Sequence, residues 1–213
     1  DVIVMNGAGL EDFMDDALSA SDAPVIDCSE GIDLLPALGH EGHDHDTEYD
    51  PHIWMSYENA ARMLENIGNG LGELDPEHNE DYYRNSGNAN DAMGYDPDKL
   101  AALADKPLIT FHDGFQYFAQ ATGLNLLKAI EEEEGSEASA AEIQEIVSLI
   151  EAYDIPAIFT EVNGSDATAQ AISRETGCQI YQLDMIMSGD GTGIQPYVDA
   201  MEKNMDTIAE ALG

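Results

Sequence analysis

Four of the six histidines, His40, His43, His45 and His52, fall between positions 40 and 52. In Gly39-His40-Glu41-Gly42-His43-Asp44-His45-Asp46, imidazoles and carboxylates share a stretch with no helical or strand period. Nitrogen and oxygen donors of this kind suit borderline divalent cations such as zinc. Without a rigid element beneath them, His40, His43 and His45 are expected to capture a cation weakly and exchangeably. A solvated polar loop with no ligand would read the same way. A metallohydrolase pattern H-x-H-x-D-H is not completed, because Thr47 and Glu48 stand where Asp and His are required.

Open parallel sheets bind ligands in the crevice beyond the carboxyl ends of their strands. His112 follows the apolar run Leu108-Ile109-Thr110-Phe111, Glu161 follows Ala157-Ile158-Phe159-Thr160, and Asp184 follows Gln179-Ile180-Tyr181-Gln182-Leu183. Each alone reads equally as a turn or cap residue, whereas an imidazole and carboxylates at neighbouring strand ends are a better metal signal. His52 lies in Asp50-Pro51-His52-Ile53-Trp54, where proline fixes the backbone on its N-terminal side, and taken alone it reads equally as a helix-start residue. Trp54, the single tryptophan, reads as core or cleft wall.

Other chemistries find little support. Asn6-Gly7-Ala8-Gly9 follows a strand like a dinucleotide turn, but Asp12 occupies the third glycine position. There is no P-loop, no G-x-S-x-G elbow and no H-E-x-x-H. Cys28 and Cys178 stand 150 positions apart, form no C-x-x-C pair and have no basic neighbours to activate a thiolate. Paired carboxylates are too abundant to single out any two.

The elements that must position these residues alternate strand and helix, which predicts an α/β architecture of mostly parallel sheets. Strands are expected at Val2 to Met5, Pro24 to Asp27, Leu108 to Phe111, Asn125 to Ala129, Ala157 to Thr160 and Gln179 to Leu183. Helices are expected at Leu10 to Ser19, Tyr57 to Leu71, from Pro76 onward with weakening through Gly87 and Gly94, and at Phe115 to Thr122. Three more follow at Ala140 to Tyr153, Ala167 to Thr176 and Ile194 to Leu212. Ser139 with Glu142 forms a capping box for one of them. Glu30 to His52 reads as one long loop, and long loops inside compact domains are usually functional or disordered. The expected organisation is an N-terminal lobe over 1–75 with its histidine-rich loop at 39–49, a linker-helix region over 76–105 and a C-terminal α/β lobe over 106–213.

Hydrophobic residues at 43% and charged residues at 24% are ordinary for a globular chain of 213 residues, so a sizeable core is available. The charge balance is not ordinary. Forty-four acidic side chains oppose seven basic ones, and no Lys or Arg precedes Arg62, while fourteen acids occupy the first fifty positions. A formal charge of −37 excludes nucleic acid and anionic membrane as partners and attracts cations, although a salt-adapted, solubilising surface would look the same. No apolar run approaches a membrane span, and no signal peptide is present in the residues given. The chain opens on Asp1-Val2-Ile3-Val4-Met5 inside a strand, from which a missing front segment is expected.

Taken together, Asn6-Gly7-Ala8-Gly9-Leu10-Glu11, the histidine-rich loop followed by Asp50-Pro51-His52-Ile53-Trp54, Phe111-His112-Asp113-Gly114-Phe115, and Leu183-Asp184 with Tyr197 and the terminal helix to Leu212 resemble the zinc and manganese solute-binding proteins of bacterial ABC importers. The order and spacing agree across essentially the whole chain. The resemblance implies two α/β lobes joined by a linker helix, with one metal in the cleft between them. It implies His52 as the ligand from the first lobe and His112 and Asp184 as those from the second. A histidine at 112 is similar to the zinc-type branch, whose members carry such a histidine-rich loop, while manganese-type relatives tend to have a carboxylate there. Glu161 matches a family residue that is usually not a ligand, and it is expected to support a ligand rather than bind the metal itself. The family also carries a further histidine ligand on a segment before the equivalent of Asp1.

The resemblance thus implies extracytoplasmic capture of Zn2+, in the periplasm or at a lipid-anchored surface, by a monomer that delivers it to an ABC-transporter membrane permease. Mn2+ is the alternative cargo. Neutral imidazole is the ligating form, so affinity is expected to fall below about pH 6.5. A metal-dependent hydrolase with Glu161 as its general base and a purely structural acidic protein are the alternatives from other classes.

Overall fold

The computed structural model describes residues 1–38, 48–94, 96, 98–99, 101–129, 138–162, 167–189 and 191–213. The chain divides into two compact units, Asp1–Tyr95 with Gly193–Gln195, and Asp96–Thr192 with Pro196–Gly213. In both units the described strands pair in parallel, as the alternation of strands and helices predicts.

In the first unit, strands β1 (Ile3–Met5) and β2 (Val25–Asp27) pair in register Ile3↔Val25 to Met5↔Asp27. The helix expected over Leu10 to Ser19 is a single 3-10 turn at Asp12–Met14 followed by α1 (Asp15–Ser19). Neither piece buries a residue: Leu10, Phe13, Met14, Ala17 and Leu18 have helical spacing, but none of them reaches a core that would extend the helix. Helix α2 (Tyr57–Leu74) starts on Ser56, whose hydroxyl accepts the Asn59 N–H. Its glycines let neighbours approach closely. A Cβ at Gly70 would meet the Ile26 side chain of β2 at 2.7 Å, and one at Gly68 would meet Ser86 at 2.5 Å. Ser86 belongs to α3 (Asn79–Met93), which runs unbroken through Gly87 and stops at Gly94 in the left-handed region, φ 56°. Among the described residues, the segment 76–105 holds α3 in the first unit and a 3-10 turn, Ala101–Leu103, in the second.

The second unit is built on a four-stranded sheet of order β4-β3-β5-β6, comprising β3 (Pro107–Thr110), β4 (Asn125–Ala129), β5 (Ala157–Glu161) and β6 (Gln179–Leu183). Leu108 to Thr110 and Ala157 to Thr160 are buried without interruption, the pattern of strands covered on both faces. Helix α4 (Gln116–Thr122) follows β3. Ile109, Phe111 and Ile158 form one core layer with Ile146 and Ile150 of α5 (Ala140–Tyr153) and Ala169 and Ile172 of α6 (Ala167–Thr176). The capping box at Ser139 and Glu142 is present with both hydrogen bonds. Helix α7 (Gln195–Leu212) presents Val198, Met201, Met205, Ile208 and Leu212 to the interior, and Lys106 Nζ donates to the Leu212 carbonyl at its end.

Candidate metal centre

The segment carrying His52 is held from three sides. Pro36 and Tyr49 form an antiparallel bridge, Ala37 N donates to the Glu48 carbonyl at 3.2 Å, and Asp50 N donates to the Leu35 carbonyl at 2.9 Å. Both described flanks of the histidine-rich loop are thereby pinned together, whereas His40, His43 and His45 lie outside the described residues. The Pro51 carbonyl accepts from Asn6 Nδ2 at 2.9 Å, and the turn around Asn6 is closed by the Glu11 carboxylate, which accepts the N–H groups of Asn6 and Gly7 at 2.8 and 3.0 Å. Gly7 sits at φ 79° and approaches Asp27 so closely that a Cβ would lie 2.0 Å from its Oδ1. The turn's own backbone and its approach to Asp27 therefore require glycine at position 7.

His52 itself is buried. Asp50, 3% exposed, accepts the His52 N–H at 2.9 Å and lies 2.7 Å from its Nδ1. A carboxylate against Nδ1 favours the tautomer protonated at that nitrogen, in which Nε2 carries the lone pair. Trp54 packs against the imidazole with centroids 5.3 Å apart, a wall for the ring.

In the second unit, His112, Glu161 and Asp184 stand at the carboxyl ends of the adjacent strands β3, β5 and β6. Phe111 N still donates to the Phe159 carbonyl at 2.9 Å; one residue later Thr110 Oγ1 donates to the His112 carbonyl at 2.7 Å and curls the chain off the sheet. His112 Nδ1 lies 3.2 Å from Glu161 Oε1, so Glu161 faces His112 as Asp50 faces His52. His112 Nε2 lies 3.5 Å from Asp113 Oδ1. That separation is long for a hydrogen bond and close to the roughly 3.4 Å between two ligand atoms of a tetrahedral zinc with bonds of about 2.1 Å. Asp184 leaves the sheet with its N–H donated to Asn204 Oδ1 at 2.8 Å and its carbonyl accepting from Asn204 Nδ2 at 2.7 Å.

Both cysteines are buried thiols: burial first, and then the charges of Asp27 and Glu11, push the Cys28 thiol up to about 11, and burial raises Cys178 as well. The remaining histidine, His78, precedes α3 at the surface, with Nδ1 2.8 Å from Asp75 Oδ2. The hydrogen bond from His78 holds the Asp75 carboxyl below its usual range.

Four further residues stand beside the candidate ligands: Asp50 and Asn6 hold the segment around His52, Asp113 lies next to His112, and Asn204 holds the backbone of Asp184. The first three lie within the sequence motifs, whereas Asn204 shows in sequence as an amide in the apolar stripe of the last helix.

A family described as "Zinc-uptake complex component A periplasmic" matches residues 1–211. The manganese-binding lipoprotein MntA of Halalkalibacterium halodurans is 26% identical over all of this chain and 72% of its own length. The iron-binding protein YfeA of Yersinia pestis is 30% identical over all of this chain and 70% of its own. The solved structure of the periplasmic zinc-binding protein TroA from Treponema pallidum superposes with a TM-score of 0.81 at 28% identity, covering all of this chain and 81% of that one. Fold and likeness define a metal-binding solute-binding protein of the ABC-transporter type. The chain belongs to the zinc-uptake complex component A periplasmic family.

Proposed function

We propose that this protein captures zinc outside the cytoplasm and hands it to an ABC-transporter membrane permease, with no catalytic step. One observation carries the reading. The two buried or half-buried histidines, His52 and His112, each have a carboxylate against Nδ1, at 2.7 and 3.2 Å, which orients Nε2 toward a cation. In this proposal His52, His112 and Asp184 are the metal ligands and Glu161 supports His112. Two imidazoles with one carboxylate suit zinc, which accepts mixed nitrogen and oxygen donors. A second reading, manganese, is favoured by Asp113, whose carboxylate near His112 Nε2 would enrich the site in oxygen.

Competition against a chromophoric chelator tests the ligand set. His52→Ala, His112→Ala and Asp184→Ala should each weaken zinc binding by more than about 100-fold, beyond the roughly 10–100-fold typical of supporting residues. His78→Ala should change it little. Equal losses in all four variants contradict the assignment, and tighter manganese than zinc binding under the same conditions favours the second reading. Turnover of ester or phosphoester substrates that depends on Glu161 would instead make the protein a hydrolase.

A further inference from the structure

We propose that Asn204 is a positioning residue for Asp184, fixing the loop after β6 in the conformation from which the Asp184 carboxylate takes the metal. The inference rests on the reading of Asp184 as a ligand.

Asn204 is the polar member of an otherwise apolar stripe on α7, between Met201 and Met205, and is 1% exposed. A buried amide is costly unless it is hydrogen-bonded, so its partners account for its presence there. Both of its polar atoms are used on one residue. Its Oδ1 accepts the Asp184 N–H at 2.8 Å, and its Nδ2 donates to the Asp184 carbonyl at 2.7 Å. The β6 ladder ends at the preceding residue, where Val162 N donates to the Leu183 carbonyl at 3.1 Å. Asn204 therefore supplies the backbone partners that a further strand residue would have supplied.

The loop beyond is not in a relaxed conformation. Asp184 Oδ1 accepts the Ile186 N–H at 2.8 Å, and Ile186 lies in the left-handed region at φ 57°, which is unfavourable for a β-branched side chain. Such a conformation persists only when its surroundings over-determine it. Leu183 and Met185 are buried on either side of Asp184, and Asn204 clamps the residue between them. The hydrogen bond from Ile186 to Oδ1 fixes the carboxylate rotamer, and a carboxylate has lone pairs beyond the one so used. A carboxylate aimed before the ion arrives loses less conformational freedom on binding.

A double-mutant cycle on the full chain tests this, with zinc alone as the probe, a chromophoric chelator as competitor and melting of the metal-free proteins as the check on folding. Asn204→Leu should weaken zinc binding by about 10–100-fold when Asp184 is present. In the Asp184→Ala background the same substitution should change affinity by less than about threefold, a dependence that loss of helix docking alone would not produce. Asn204→Asp keeps the volume and the acceptor but loses the donor to the Asp184 carbonyl; it should give an intermediate loss and serves if the leucine variant does not fold. Equal losses in both backgrounds, or no loss in either, overturn the inference while leaving Asp184 a ligand. Unchanged affinity in Asp184→Ala overturns the ligand reading and the inference with it.

Discussion

Replacing Asp50 by alanine removes a carboxylate that accepts two hydrogen bonds from one residue, the His52 N–H at 2.9 Å and the ring Nδ1–H at 2.7 Å. Both donors lie where water has little access, since Asp50 is 3% and His52 8% exposed. Hydrogen bonds to a charged acceptor contribute about 1.5–3 kcal/mol each, and removing the carboxylate also removes its own desolvation cost. A net stability loss of about 2–4 kcal/mol is therefore expected. Metal affinity falls for a separate reason. Without the carboxylate the imidazole loses its fixed tautomer, its orientation and part of its basicity, together worth roughly 10–100-fold in affinity. Asp50→Asn separates the two effects, because its side-chain oxygen still accepts from both donors while the charge is gone. It should lose only about 1 kcal/mol of stability and less affinity than Asp50→Ala. The assays are melting in the presence of a chelator and zinc competition at one fixed pH. If Asp50→Ala melts earlier yet binds zinc as tightly as the parent, the carboxylate is a structural anchor and the argument that it prepares His52 is wrong.

Three further outcomes follow from the geometry. Gly7→Ala must move a Cβ away from Asp27 Oδ1 at 2.0 Å and Ser29 Oγ at 2.4 Å while tolerating φ 79°, so a loss of about 2–4 kcal/mol is expected in denaturant melts. Ser139→Ala removes half of the capping box on α5 and should cost about 1 kcal/mol by the same measurement, with zinc affinity unchanged. With its thiol pushed up to about 11, Cys28 is only about one part in a thousand thiolate at pH 8, so alkylation of the folded protein should be far slower than in denaturant and should speed up as pH rises. Folded-state labelling at the denatured rate would contradict that burial.

The second unit was the more legible in sequence, because β3 and β5 are apolar runs and β3, β5 and β6 each lead into a polar residue. Leu108 to Thr110 and Ala157 to Thr160 read as strands covered on both faces, and they are buried throughout. Asn125–Ala129, the less regular run, is also a strand, at the sheet edge. The acidic stretch after Leu10 was harder to read. Its spacing fits a helix, but none of its helical residues is fully buried, and only a 3-10 turn and five α-helical residues form. Among the candidate site residues, His112, Glu161 and Asp184 were placed by the rule that ligands gather at strand ends. The groups that orient them were not, because hydrogen bonds from Asn204 to the backbone of Asp184, or from Asn6 to the Pro51 carbonyl 45 positions away, leave almost no local pattern.

The central claim is that His52, His112 and Asp184 hold one zinc ion. Anomalous diffraction at the zinc edge, on crystals grown with one equivalent of the metal, tests it most directly. The account predicts one dominant peak bonded at about 2.0–2.2 Å to the Nε2 atoms of His52 and His112 and to the Asp184 carboxylate. A dominant peak held by other residues, such as His40, His43 and His45 without those three, would contradict it.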